Sequence, residues 1–502
     1  MKNILLLLLL VFMLLPAASC ALRTTGTSPE PAPGAQPLPA AGSQYTMKNY
    51  HIGARPTDPV CADLNSDGFN DIAVALKKQA LAVLLNNRSG GFTAPATYAT
   101  FPHNTSLTAA DIDGDGDLDL IPLTELKVGP VFLNDGRGTF SRHDLDIQAL
   151  LYSWHIESQD LNGDALPDLV ITSLQKPFIS IVMNRGDLQF AAHRINLMPG
   201  IEDPRHRLDV TASPDTTPPV GATDRKVLEK EKSPAEAVKK PGAEKPARPN
   251  REDLRSVPPP TEEVTTISPD QLKQMEDTSP GSGKYIPGSQ KWRYARRIKA
   301  LDNGFKDAVI TDMNGDGHPD ILSPSYVFDS IFFGINNGKG EFDFVSVPVE
   351  PELPYELGYA LSSIAVLRYP DRKLPDVAVS SERDGNIYLF ENREGMLIQK
   401  GHLETRRKVP VRIVSDDLNG DGLPDIVVAF AAELPVEKRS MIQIWLNSRE
   451  GFFLKETLQS EGQGIYLDTC RFSPEEHPSI IISNVHEESL TIFSPIHNSP
   501  GK

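Results

Sequence analysis

The chain has 502 residues, of which 39% are hydrophobic, so it is long enough to bury a large core. Its formal net charge is −17 at pH 7. Nucleic-acid binding requires basic patches against the phosphates, so this charge argues against a nucleic-acid partner and is compatible with the binding of divalent cations.

The N-terminal residues have the pattern of an export signal. Lys2 precedes the apolar run 4–15, which has the length of a signal-peptide core and is shorter than the roughly 20 residues of a membrane-spanning helix. The segment LPAASC, residues 15–20, resembles a bacterial lipobox, although Ala17 stands where that pattern usually has Leu.

The lipobox resemblance implies that residues 1–20 are a lipoprotein signal peptide and that Cys20 receives the lipid. Ala21 then favours the bacterial outer membrane or cell surface, with the membrane as a partner through the N-terminal lipid anchor. The alternative is an ordinary secretory signal with an incidental cysteine. Residues 21–44 are rich in Pro, Ala and Ser and predict an extended tether.

Nine-residue segments rich in Asp recur along the chain, and we refer to them as the acidic loops, with positions 1 to 9. Positions 1, 3, 5 and 9 are always Asp or Asn, and position 6 is Gly except for Ala165 in the third loop. Ala165 is expected to strain that turn. The acidic loops are 63–71, 111–119, 160–168, 312–320 and 417–425.

Each acidic loop is followed by an apolar, β-branched run and then by a second strand that leads into a turn rich in Asn and Gly, typical of β-hairpins. Two further copies, around 368–376 and 471–479, have lost the Asp or Asn at positions 1, 3 and 5. Seven repeats of about 50 residues, each with four short strands, predict an all-β fold, a seven-bladed β-propeller. An open β-solenoid is the alternative.

The ends of the repeat region favour a closed ring. The seventh repeat lacks an outer strand, and residues 45–53 have the spacing of the missing strand relative to the first acidic loop. The sequence thus predicts that 45–200 forms the closing strand and blades 1–3, and that 291–497 forms blades 4–7. Residues 201–290, dense in Pro, Lys and Glu with a single aromatic residue, predict a long disordered insert between blades 3 and 4.

Alternate oxygen-bearing side chains in a tight loop can converge on one point, and oxygen ligands select a hard cation such as Ca²⁺. An EF-hand is excluded, because position 12 is never Glu and the flanking segments are strands. Blades 5 and 7 are not expected to bind metal.

The loops, the strands after them and the hairpin turns resemble the FG-GAP/VCBS repeats of integrin α-subunit propellers and bacterial surface proteins, over about 45–200 and 291–497. The resemblance implies a Ca²⁺ cofactor at about five sites, held by the side chains at positions 1, 3, 5 and 9 and the carbonyl at position 7. The implied metal residues are Asp63, Asn65, Asp67, Phe69, Asp71, Asp111, Asp113, Asp115, Asp117, Asp119, Asp160, Asn162, Asp164, Leu166, Asp168, Asp312, Asn314, Asp316, His318, Asp320, Asp417, Asn419, Asp421, Leu423 and Asp425.

No catalytic signature such as GxSxG or HExxH occurs in the sequence. We therefore expect a binding or adhesion scaffold for a glycan or protein. The alternatives are a carbohydrate-active enzyme of the polysaccharide-lyase kind on a Ca²⁺-bearing propeller, and a structural or assembly lipoprotein.

The insert and the ligand site are expected on the face opposite the acidic loops, which we call the insert face. Candidate ligand contacts there are aromatic, with packing between blades as the alternative. They are Trp154, His155, Tyr326, Phe328, Tyr355 and Tyr359. Cys61 and Cys470 lie near the ends of neighbouring inner strands, so either a disulfide or two buried thiols is possible.

Overall fold

The computed structural model describes residues 43–197 and 304–496, apart from 126, 146, 148–151, 327, 351–359, 407–408, 432–438, 461 and 463. The predicted signal peptide, Cys20, nearly all of the tether and the insert lie outside these residues, as do Tyr355 and Tyr359. Within the described residues, no helix has the length and apolar character needed to cross a bilayer.

The described residues form 28 strands in seven four-stranded antiparallel sheets, which are the blades. The first three blades use consecutive strands. Blade 1 consists of β2 (Pro56–Ala62), β3 (Asp71–Leu76), β4 (Ala80–Leu84) and β5 (Ala96–Ala99). Blade 2 consists of β6 (Asn104–Ala110), β7 (Asp119–Thr124), β8 (Val131–Asn134) and β9 (Phe140–His143). Blade 3 consists of β10 (Ser153–Gln159), β11 (Asp168–Ser173), β12 (Phe178–Asn184) and β13 (Phe190–Asn196).

The remaining blades follow the same order from the inner to the outer strand. Blade 4 consists of β14 (Val309–Thr311), β15 (Asp320–Pro324), β16 (Ser330–Asn336) and β17 (Phe342–Pro348). Blade 5 consists of β18 (Leu361–Leu367), β19 (Asp376–Ser381), β20 (Asn386–Arg393) and β21 (Met396–Glu404). Blade 6 consists of β22 (Pro410–Asp416), β23 (Asp425–Phe430), β24 (Met441–Leu446) and β25 (Phe453–Gln459).

Blade 7 joins the two ends of the chain and closes the ring. It contains β26 (Gly464–Cys470), β27 (Ser479–Asn484), β28 (Ser489–Pro495) and, as its outer strand, β1 (Tyr45–His51). β1 runs antiparallel to β28, with Tyr45 opposite Pro495 and His51 opposite Ser489. The predicted seven-bladed propeller and its closure by the N-terminal strand are therefore confirmed.

The core lies between the blades. The second strand of every blade is buried along its length, and its sequence is almost entirely apolar and small-polar because both of its faces pack against neighbouring blades. Outer strands such as β17 alternate between exposed and half-buried residues, since one face meets solvent. A cluster of apolar side chains fills each of the seven junctions between blades.

A disulfide crosses the junction between blades 7 and 1. Cys61 in β2 and Cys470 in β26 are bonded, with their Cα atoms 5.6 Å apart. Of the two possibilities left open by the sequence, the structure has the disulfide. It joins neighbouring inner strands at the same junction where β1 completes the ring.

Candidate metal loops and the axial charge cluster

The acidic loops are held by hydrogen bonds that repeat from blade to blade. The position 1 carboxylate accepts N–H groups from within its own loop. Asp160, for example, accepts from Gly163 N at 2.7 Å and from Ala165 N at 2.8 Å. Asp111, Asp312 and Asp417 accept the equivalent bonds, and Asp63 accepts from Asp67 N and Gly68 N.

The position 9 aspartate links its loop to the hairpin of the same blade. Asp119 is buried at the start of β7 and accepts from Ile112 N at 3.0 Å and from Asn134 N at 2.8 Å. The counterparts Asp71, Asp168, Asp320 and Asp425 do the same. Burial raises the pKa of Asp119 to about 6, because these two hydrogen bonds only partly offset the loss of solvent.

The second acidic loop presents converging oxygen atoms that could hold a hard cation. In the second loop, Asp111, Asp113 and Asp115 place one carboxylate oxygen each within 4.8 Å of one another. In loops 3, 4 and 5 the position 3 residue is Asn, whose side-chain amide donates to the position 5 aspartate at 2.8–3.0 Å. Loop 1 differs, because Arg88 forms an ion pair with Asp67 at 2.9 Å.

The two blades without an acidic loop differ from each other at position 9. In blade 5 the counterpart of the position 9 aspartate is Asp376, which accepts from Asn392 N as in the other blades. Its second oxygen is 2.8 Å from Arg372 Nη1, so an arginine at position 5 supplies positive charge inside the loop. In blade 7, position 9 is Ser479, which hydrogen-bonds Ser494 and carries no charge.

A hairpin asparagine connects the acidic loops of blades 1 to 4 to the next blade. The Asn134 side chain, in blade 2, donates to the carbonyl of Leu64, at position 2 of the blade 1 loop, at 2.8 Å. The equivalent bonds join Asn184 to Ile112, Asn336 to Leu161 and Asn392 to Met313. Asn86 likewise donates to Phe472 of blade 7, and Asn447 of blade 6 donates to the Tyr369 hydroxyl of blade 5 at 3.3 Å. These bonds join the loop of one blade to the hairpin of the next.

A second polar constellation lies on the propeller axis, where the inner strands meet. His155 in β10 has its Nδ1 3.3 Å from Asp58 of blade 1 and its Nε2 2.9 Å from Glu157. The same Nε2 is 3.4 Å from Asp307, just before β14, and Asp307 also pairs with Arg412 of β22 at 2.5 Å. We call these five residues the axial cluster.

Every blade contributes to the surroundings of the axial cluster. Ser106 of blade 2 donates to Asp58 at 3.0 Å, and Ser363 of blade 5 donates to Asp307 at 2.6 Å. From blade 7, Asp468 and Tyr466 interact electrostatically with Asp58 and Arg412. Burial raises the pKa of Asp468 to about 7.

The axial cluster holds His155 in its charged form. Burial by itself would lower the pKa of this imidazole, but hydrogen bonds with Asp58 and Glu157 and the charge of Asp307 raise it to about 10. Burial by itself would raise the pKa of Asp58, but Arg412 and His155 together hold that pKa below its usual value. The cluster is thus two cations enclosed by three carboxylates at the centre of the ring.

The four predicted ligand contacts that the structure describes do not form one exposed surface. Trp154 is half-buried, and His155 is buried in the axial cluster, so it is not an exposed ligand contact; both of its ring nitrogens are taken by carboxylates. Tyr326 donates its hydroxyl to Glu382 at 3.0 Å and packs under Lys306 Nζ. Phe328 packs edge-on against Phe332.

Sequence reasoning missed the axial cluster, apart from His155 itself. Asp58, Asp307 and Arg412 lie in different blades, and none has a local motif around it. A usable signal was present nonetheless, because charged residues at the middle of predicted inner strands have no solvent to face in a closed ring.

Comparison with known proteins agrees with the repeat structure. Residues 63–121 match the FG-GAP-like repeat family. The human T-cell immunomodulatory protein is 27% identical over 148 residues, which cover 27% of this chain and 24% of the human protein, so the alignment spans about a quarter of that relative.

Two solved structures resemble the chain over most of its length. BBS1N in complex with ARL6DN is 10% identical with a TM-score of 0.49, covering 91% of this chain and 98% of that one. An Agrocybe aegerita lectin, described as recognising non-reducing terminal N-acetylglucosamine, is 16% identical with a TM-score of 0.45, covering 86% of each chain. The fold assignment rests on the strand pairing of this chain and not on these similarities.

The chain is therefore a seven-bladed β-propeller that carries an FG-GAP-like repeat. The predicted resemblance to FG-GAP repeats is confirmed. A propeller of this kind supports a role in binding or scaffolding.

Proposed function

We propose that the chain is a Ca²⁺-stabilised β-propeller that acts as an exported, lipid-anchored binding or adhesion scaffold for a glycan or a protein. The observation that carries the metal part is the contrast between blades. Five blades enclose a buried aspartate within a loop of further acids, whereas the equivalent Asp376 of blade 5 has Arg372 at ion-pair distance. A buried carboxylate requires a compensating charge, and a cation in the acidic loops would supply it.

The donor set favours Ca²⁺ over a transition metal. The converging groups are carboxylate and amide oxygens, and positions 1, 3 and 5 of the second loop are all Asp. When bound, the ion would neutralise the loop. The connections to the rest of the propeller are made by the chain itself, since the position 9 aspartate binds the hairpin and the hairpin asparagine binds the next blade. We assign the metal a structural role.

Calorimetric titration with Ca²⁺ tests this assignment. We expect about five binding events in the wild-type protein and a rise in melting temperature, because a ligand that binds only the folded state stabilises that state. Asp113→Asn combined with Asp115→Asn should remove one binding event. Asp343→Asn, at an exposed position of β17, is the control and should remove none. Absence of Ca²⁺ binding, or a melt unchanged by EDTA, contradicts the proposal.

The scaffold role is proposed from the fold and from the FG-GAP-like repeat, which is typical of extracellular or surface proteins. Pull-down with glycans and proteins, with and without Ca²⁺, tests for a ligand. Ca²⁺-dependent cleavage of a polysaccharide panel would instead support the enzyme alternative and contradict a purely binding role.

Anchoring by lipid on Cys20, and location at the outer membrane or cell surface, rest on the sequence alone. Labelling of the expressed protein with a clickable fatty acid, followed by membrane fractionation, tests them. We expect incorporation that is lost in Cys20→Ser. A wild-type protein without label contradicts the lipid anchor.

A further inference from the structure

A cavity of about 510 Å³ lies beside the propeller axis, at the end nearer the acidic loops. The inner strands of blades 4, 5 and 6 line it, and Asp417 and Leu423 of the blade 6 loop lie at its rim. Ligand pockets are commonly about 300–1,000 Å³, so the volume suits a small molecule.

The walls of the cavity combine apolar side chains with a small number of polar groups. Ile364, Val366 and Val414 are among the apolar residues, and Arg368 and Arg412 contribute guanidinium groups. Such a combination is typical of sites that bury the body of a ligand and orient it through one polar end.

Arg368 is an exposed cation on the lining of the cavity. It occupies position 1 of the blade 5 loop, where all five acidic loops have Asp. Its guanidinium donates to Thr311 Oγ1 at 2.7 Å, and among the described residues no carboxylate lies within ion-pair distance of it. A guanidinium has five N–H donors, so most of its hydrogen-bonding capacity is available.

The acids around the cavity are already engaged. Glu157 binds His155, and Asp416 lies 3.4 Å from Arg471. Asp417 accepts N–H groups from its own loop, from Gly420 at 2.7 Å and Gly422 at 2.9 Å. Arg368 is thus the charged group of the cavity lining that can bind a further partner.

We propose that this axial cavity binds a small organic carboxylate, whose carboxylate pairs with Arg368 while its body packs against the apolar wall. Arginine suits this role because its planar fork matches a carboxylate through two hydrogen bonds. The inference does not depend on the proposed scaffold ligand at the insert face.

Titration calorimetry tests the site in Ca²⁺-containing buffer. The probes are D-glucuronate, as a sugar acid, and hexanoate, as an aliphatic acid. Glucose and hexanol are their neutral counterparts. We expect saturable one-to-one binding of at least one acid, at least tenfold tighter than its neutral counterpart. The acid that binds more tightly shows whether the apolar wall prefers a sugar ring or an aliphatic chain.

The variants locate the binding. Arg368→Gln should weaken it at least tenfold, and Arg368→Lys, which keeps the charge but loses the planar fork, should weaken it by a smaller factor. Arg449→Gln, at an exposed position of the blade 6 hairpin, should leave it unchanged. Far-ultraviolet circular dichroism and the melting temperature check folding, and Arg368→Lys decides if Arg368→Gln does not fold. Binding of neither acid, equal binding of the neutral molecules, or binding unaffected by the cavity variants overturns the proposal.

Discussion

Arg372 Nη1 lies 2.8 Å from Asp376 Oδ2, inside a loop whose counterparts in five other blades are acidic. The other oxygen of Asp376 holds the hairpin through Asn392 N at 2.9 Å, as the position 9 aspartates of those blades do. The architecture of the blade is thus kept, and an arginine of the chain supplies the positive charge that we propose a bound cation supplies in the other blades.

Arg372→Met should therefore destabilise the protein by roughly 1–2 kcal/mol, a value reduced because the arginine is partly exposed. Chemical denaturation at saturating Ca²⁺ measures it. Asp376→Asn in the Arg372→Met background should cost less than it does in the wild type, since the uncompensated charge is then removed. Equal costs in both backgrounds would contradict the charge-substitution account.

Ala165 occupies the turn position that is Gly in the other four acidic loops. It has a φ of 69°, in the left-handed region that disfavours residues with a Cβ. Ala165→Gly should raise the free energy of unfolding by about 0.5–1 kcal/mol, after allowance for the greater freedom of Gly in the unfolded chain. Gly116→Ala, at the same position of loop 2, should have the opposite sign. The idea fails if both substitutions shift stability in the same direction.

The closing strand should be necessary for the stability of blade 7. Tyr45 is buried beside apolar residues of blades 6 and 7, whereas Thr46 is exposed. Tyr45→Ala should cost about 3 kcal/mol, because it leaves a large cavity, and Thr46→Ala should change stability by less than about 0.5 kcal/mol. Deletion of 45–53 should expose the edge of β28 and promote aggregation, which light scattering detects. Deletion of 21–43 is expected to have little effect, and equal tolerance of the two deletions would argue against closure.

The disulfide should strengthen the same junction. Removing it with the double substitution Cys61→Ala and Cys470→Ala should lower the free energy of unfolding by about 2–4 kcal/mol. Reduction with dithiothreitol should have a similar effect on the wild type and none on the double variant. Two free thiols in non-reducing peptide mapping of the exported protein would show that the bond does not form.

His155 should make the stability depend on alkaline pH. Its pKa is raised to about 10 in the folded protein, against about 6.5 in the unfolded chain, so the folded state holds the proton more tightly. The stabilisation from this charge is fully present below about pH 6.5 and is lost as pH rises toward 10. The difference in unfolding free energy between the wild type and His155→Gln should shrink over that window. A difference that is constant from pH 6 to 10 would rule out the charged histidine.

The sequence by itself determined the blades, the acidic loops and the closing strand. These features are local, because a hairpin needs Asn or Gly where φ is positive, an acidic loop needs alternate oxygens, and a missing outer strand is visible as a spacing. The position of Tyr45 relative to Asp63 was enough to predict that β1 would pair with β28.

The tertiary structure decided which polar residues contact one another on the propeller axis. Asp58, His155, Asp307 and Arg412 come from blades 1, 3, 4 and 6, and ring closure alone brings them together. No local sequence pattern predicts these contacts, since each residue is an isolated polar position in or next to an inner strand. The pairing of Arg372 with Asp376 and the hydrogen bond from Arg368 to Thr311 were likewise decided by packing, because a sequence shows that an arginine replaced an acid but not which group it faces.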